Sequence, residues 1–228
     1  MATTTASARV TPRPATRRHS GHSVEARVAQ LRELAHEDPV LVRDQAWQWF
    51  SEAGERLVTD RQAAMSELGA LFATGRPSTG IDGETEGALV GWVAAPVVDR
   101  LLRLVTDRWL PWAGKRFDSA AGTGDNVLLA STKPIARAVW PVYRLRPFGK
   151  RFTGFDFTTS IQRGALDPEL DVLVIDYASV RSNPWLFIKQ IRDELVEVIP
   201  GAHLGKMILE GPGDRHALLA YFALKSAT

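Results

Sequence analysis

The tetrapeptide Gly-Lys-Arg-Phe occurs twice, at 114–117 and 149–152, each time shortly after a bulky apolar residue, Trp112 or Phe148. A partial echo, Leu204-Gly205-Lys206-Met207, opens the last apolar stretch. Glycine at a strand start permits close approach of two backbones, and successive side chains of a strand point to opposite faces. A Lys-Arg pair in such a strand must therefore split, sending one cation inward and one outward. The flanks of the two copies do not align, so the duplication is no solenoid or propeller signature.

Around these copies the chain alternates short strand patterns with glycine turns. Gly83, Gly87 and Gly91 punctuate a strand over 85–93, and a Gly122–Asn126 turn precedes a strand over 127–130. The run 148–163 reads as one long strand. One face carries Phe148, Lys150, Phe152, Gly154 and Asp156, and the other Arg151, Thr153, Phe155, Phe157 and Ile161. Asp167-Pro168 turns the chain into 172–177, and a final hairpin pairs 203–209 with 216–224 across a Gly-Pro-Gly-Asp turn.

Helical signals interleave. Ser23 caps a helix to about residue 35, and Asp38-Pro39 starts a second that ends before Gly54. A third covers 60–72, a basic amphipathic helix covers 97–110, and a short one begins at Pro134. Asn183-Pro184 starts another to about Val198, with Ile188, Ile191, Leu195 and Val198 on one face. The pattern predicts an α+β fold: a strongly bent antiparallel sheet or small calycin-like β-barrel covered by helices. The expected organisation is a disordered basic tail at 1–22, a helical segment at 23–75 and a barrel-like domain with inserted helices at 76–228.

Composition narrows the function classes. Cysteine is absent, which removes disulfides, thiolate nucleophiles and cysteine metal sites. The net charge of +2 is local: Arg9, Arg13, Arg17 and Arg18 lie in the tail, leaving 24 basic against 26 acidic residues elsewhere. A duplex-binding surface normally carries a basic body, so no nucleic-acid partner is expected. Arginine outnumbers lysine, read as a GC-rich, bacterial coding bias. No apolar run approaches the roughly 18 residues that span a bilayer. A cytoplasmic location is expected, with organelle targeting through the Arg/Ser-rich tail as the alternative. Peripheral membrane contact through the 97–110 helix is the other partner expectation.

The stretch Trp112-Ala113-Gly114-Lys115-Arg116-Phe117-Asp118 resembles a signature of the uncharacterised GXWXG-type domain family. Ile175-Asp176-Tyr177, the 204–207 echo and Tyr221-Phe222-Ala223-Leu224 follow in similar order. The resemblance covers about residues 75–228 and implies a small, barrel-like β domain without a settled activity. The family's eponymous tryptophan would fall at Thr85, so a pocket lined by that residue would differ here.

No Gly-x-Ser-x-Gly elbow, dinucleotide fingerprint or Walker spacing is present. No metal site and no cofactor are expected, because His203 and His216 are not cross-strand partners about the last turn. The preferred function is a binding protein, lipocalin-like, for a small apolar or amphipathic ligand (lipid- or terpenoid-like) in the barrel cavity. Trp112, Lys115, Arg116, Phe117, Lys150, Arg151, Phe152 and Met207 are its candidate contacts. The alternative is a cofactor-free isomerase or cyclase using Asp156, Asp176, Tyr177 or His203 as acid and base. A further alternative is an accessory or interaction protein. Lys150 and Asp156 are read as a solvated rim, with Phe155, Phe157 and Ile161 as core. The alternative turns their face inward and sets a Lys and an Asp in an otherwise aromatic cavity, where desolvation disfavours their charged forms.

Overall fold

A computed structural model describes residues 23–93, 111–213 and 215–226. The expected 1–22 tail and 97–110 helix lie outside the described residues. The chain runs α1 (Val24–Leu34), α2 (Pro39–Thr59), α3 (Arg61–Thr74), β1 (Arg76–Pro77), β2 (Gly83–Trp92), β3 (Trp112–Asp118) and β4 (Thr123–Leu128). It continues through α4 (Thr132–Val139), β5 (Arg146–Phe148), β6 (Arg151–Arg163), β7 (Asp171–Asp176), β8 (Ile191–Ile199), β9 (Ala202–Gly211) and β10 (Arg215–Ser226). Eight antiparallel strands pair in the order β8-β7-β6-β4-β3-β2-β10-β9, and β8 pairs with β9 to close the ring. Closure removes the sheet edges, and the short strands β1 and β5 add to β8 and β6.

Strand alternation then creates two cores. Outward-facing Val172, Val174, Val196, Val198, Leu204 and Ala223 pack under Phe50, Leu57, Leu68 and Phe72 of α2 and α3. Inward-facing Phe117, Phe157, Ile175, Leu195, Leu219 and Phe222 fill the barrel. The helices begin where local chemistry dictates. Ser23, Asp38 and Asp60 each accept a hydrogen bond from the third residue on, satisfying an otherwise orphaned donor. Helix α2 does not stop at Gly54 as expected. Glycine is required there by proximity, since a Cβ would lie 1.9 Å from the carbonyl oxygen of Val90 on β2.

Three further local expectations change. Residues 191–199 form strand β8, not a helix, because flanking β7 and β9 offer two ladders and the β-branched Ile191, Val196, Val198 and Ile199 suit a pleated surface. The turn expected at 122–126 comes earlier, so that Thr123 to Asn126 already pair with β3. The second Gly-Lys-Arg-Phe copy is not a glycine-started strand. Gly149 has φ +57° and forms, with Lys150, the turn between β5 and β6.

The first copy behaves differently. Gly114 has φ +146°, and a Cβ there would sit 1.9 Å from the Thr85 carbonyl oxygen and 3.0 Å from the Gly87 nitrogen. Regular β2–β3 pairing covers only Gly83 and Glu84, opposite Phe117 and Arg116. Beyond it, the Thr85 hydroxyl donates to the Lys115 carbonyl at 2.8 Å and accepts from the Lys115 amide at 3.2 Å. Gly114→Ala is expected to cost at least about 2 kcal/mol, from a disfavoured φ plus a backbone clash. Urea unfolding of the variant checks this, with Gly149→Ala as the milder comparison.

Candidate ligand site inside the barrel

The split of the first Lys-Arg pair decides what the barrel contains. A bulge between Trp112 and Gly114 changes the alternation of β3, so that both Trp112 and Lys115 face inward. Arg116 turns outward and binds Asp125, with Nη2–Oδ2 at 2.6 Å. Lys115 is 3% exposed, and its Nζ lies 2.9 Å from Asp193 Oδ2 on β8, itself 3% exposed. The same ammonium donates to Asn126 Oδ1 on β4 at 2.9 Å and to the Tyr177 hydroxyl just beyond β7. Tyr177 in turn donates to Asp193 Oδ2 at 2.9 Å.

Every arm of the cluster but one is satisfied. Asn126 Oδ1 also accepts from Trp112 Nε1 at 3.1 Å, and its Nδ2 donates to the Phe155 carbonyl at 3.0 Å. Asp193 Oδ1 is buried without a hydrogen-bond partner among the described residues. Four rings surround the ammonium, those of Trp112, Phe157, Tyr177 and Phe222, with centroids 5.1 to 5.6 Å from Nζ. Burial lowers the Lys115 pKa against the opposing pull of Asp193. Burial, and then the Asp193 charge, raise that of Tyr177 well above its ordinary value.

Beside the cluster lies a cavity of about 210 Å³, whose lining includes Lys115, Asn126, Tyr177 and Asp193 with Trp92, Trp140, Phe155, Phe187, Met207 and Phe222. Phe155 and Phe187 both line it, and they are the non-glycine residues with positive φ among those described, at 52° and 71°. Such backbone costs on the order of 1–3 kcal/mol and persists only where its surroundings enforce it. At Phe155 the enforcement is visible. Its ring stacks on Tyr143 at 5.0 Å, its amide donates to the Tyr143 hydroxyl, and its carbonyl accepts from Asn126.

Of the residues singled out in the sequence, Trp112, Lys115, Tyr177 and Met207 meet at this cavity. Phe117 packs in the barrel interior without lining it, and Phe152 packs against that interior. The others lie elsewhere. Lys150 is exposed at the β5–β6 turn, and Arg151 pairs with Glu84 at 2.5 Å. Asp156 pairs with Arg146 on the outer face. Asp176 Oδ1 accepts from the Ala178 amide at 2.7 Å, closing the turn after β7. Phe155 and Phe157 are core, whereas Ile161 is exposed. Asp193 and Asn126 escaped the sequence reading because one lay in an expected helix and the other in an expected turn. Asp193 between Ile191 and Leu195 at period two was the available signal.

No family model matches the chain, and no curated protein matches it. One solved structure, a protein from Thermomonospora curvata, is similar at 19% identity over 78% of this chain and 99% of that one, with a TM-score of 0.40. A likeness at that level carries no functional argument. Among the described residues, no group of three or more His, Cys, Asp or Glu side chains could hold a metal, and no helix is long and apolar enough to cross a membrane.

His203 is buried at the start of β9, away from the cavity lining, with Nδ1 2.9 Å from Ser78 Oγ and Nε2 3.2 Å from Ser226 Oγ. Burial pushes its pKa from 6.5 down to about 4. The unfolded chain therefore takes up a proton between pH 6.5 and 4 that the folded chain refuses. Stability is full above pH 6.5 and falls by about 3 kcal/mol as pH drops to 4. Unfolding titrations across that window are expected to show this slope in the native protein and its reduction in His203→Gln.

Proposed function

We propose that this chain is a binding protein for a small apolar or amphipathic ligand held inside the barrel, with the ligand's polar end against the Lys115–Tyr177–Asp193 cluster. The observation that carries the reading is Asp193 Oδ1, a buried carboxylate oxygen without a partner among the described residues, on a side chain that lines the cavity. Leaving such a group unpaired is expensive, and its side chain lies at the polar end of a cavity whose other lining is apolar or aromatic. The aromatic lining and the two strained phenylalanines support the same reading. In this reading the cavity is a hydrophobic ligand pocket and the chain a divergent relative of the GXWXG-type domains that residues 75–228 resemble.

Size limits the ligand. The cavity of about 210 Å³ holds about seven water volumes and falls below the roughly 300 Å³ at which drug-sized pockets begin. A single ring or a short terpenoid fits better than a fatty acid. The second reading, cofactor-free acid–base catalysis, loses Asp156, Asp176 and His203, none of which reaches the cavity. Tyr177 remains, now joined by Asp193 and Lys115.

Met207 lines the cavity whereas Met65 packs against the helix-covered outer core. Toluene titrated into protein labelled at the methionine methyls is expected to shift the Met207 resonance to saturation and leave Met65 unmoved. A Met207 resonance that does not respond overturns the binding reading.

A further inference from the structure

The native cluster puts a primary amine, a carboxylate and a phenol within hydrogen-bond reach of one another at the polar end of the cavity. We propose that Lys115 forms a covalent imine with a small apolar aldehyde or ketone, so that the substrate class of this cavity is the carbonyl compounds. The proposal rests on the cavity being a ligand site and names what is done there.

The geometry supplies each requirement of the reaction. The amine must be able to shed its proton, and Asp193 Oδ2 is 2.9 Å from Nζ to receive it. Desolvation acts in the same direction, since burial of the Nζ lowers the Lys115 pKa by disfavouring the charged form. Water must be scarce around the product, and the lining residues other than the cluster are all apolar or aromatic. An electrophile must have somewhere to sit, and Lys115 lines the cavity itself. Lys206 provides the contrast. It is also buried, but it lies on the outer face of the barrel over the Phe72 ring, paired with Asp167 and away from the cavity.

The step balances without any co-reactant. The Lys115 ammonium gives a proton to Asp193, and the freed Nζ pair adds to the carbonyl carbon while the C=O π pair moves to oxygen. That oxygen takes the proton from Asp193, and Asp193 recovers one from nitrogen, leaving a neutral carbinolamine. Asp193 then protonates the hydroxyl, which leaves as water while the nitrogen pair forms the C=N bond. One ammonium and one carbonyl become one protonated imine and one water, with nothing oxidised or reduced. The imine ends beside the Asp193 carboxylate. The Tyr177 hydroxyl, already bonded to both Lys115 and Asp193, holds the two in register and can donate to the carbonyl oxygen as charge develops on it.

The chain has six lysines, at 115, 133, 150, 189, 206 and 225, so the site of reaction can be read directly. The full-length protein is incubated with benzaldehyde and sodium cyanoborohydride, and the product is read by intact mass and peptide mapping. The expected result is a single benzyl adduct at Lys115, absent in Lys115→Arg and formed at least tenfold more slowly in Tyr177→Phe. Toluene binding, followed at Met207 on the same samples, has no carbonyl and tests the cavity alone. Binding of toluene with Lys115 unmodified, or with adducts only on other lysines, overturns the imine and leaves the binding reading standing. Lys115 unmodified with no toluene response overturns both.

Discussion

A lysine placed inside a barrel of aromatic side chains must bring its own solvent, and Lys115 does so by drawing on three strands and the turn after β7. Its ammonium is met by Asn126 from β4, Tyr177 beyond β7 and Asp193 from β8, while its own strand supplies Trp112. An ammonium so buried without those partners would be costly enough to abandon its charge or the fold. Each partner therefore has to arrive at the right pleat position, which ties together the registers of β3, β4, β7 and β8. Lys115 faces Asn126 across one ladder, and Ile175 faces Asp193 across another.

The backbone is shaped to allow this. Gly114 and Gly87 approach each other where β2 meets β3, so closely that a Cβ on Gly87 would lie 2.6 Å from the Gly114 Cα. The Thr85 hydroxyl replaces ladder bonds there, and the bulge after Trp112 lets that ring face inward on the same strand as Lys115 and Phe117. Ala136 of α4 packs in the inner core and Trp140 at its C-terminal end lines the cavity, whereas α1, α2 and α3 take no part in the site. Their apolar faces seal the outward pleats of the sheet, leaving the interior as a separate core whose composition is free to serve another purpose.

Strand periodicity and turn chemistry made the barrel and its helical cover legible in the sequence, down to the caps at Ser23 and Asp38. The inward turn of Lys115 was visible as a question, since a Lys-Arg pair in a strand must split, but the answer depended on a bulge that leaves no mark on composition. In the identical tetrapeptide at 149–152 the Gly-Lys half is a turn, because Arg146–Phe148 pairs back onto β6, a non-local fact. Asp193 was hidden by a helical spacing of Ile188, Ile191, Leu195 and Val198 that tertiary pairing overrode. The half of the site that comes from β3 could thus be read locally, and the half that comes from β4 and β8 could not.

Buried ion pairs generally repay little more than their desolvation, so a cluster kept for stability and one kept for a ligand behave differently when it is removed whole. The decisive measurement is the unfolding free energy of a Lys115→Met/Tyr177→Phe/Asp193→Leu triple variant, set beside Asp193→Leu alone. The single variant strands an ammonium and is expected to lose about 3–5 kcal/mol, while the triple variant should match or exceed the native protein. A triple variant as unstable as the single one would mean that the cluster is scaffold, and that the barrel interior holds no site.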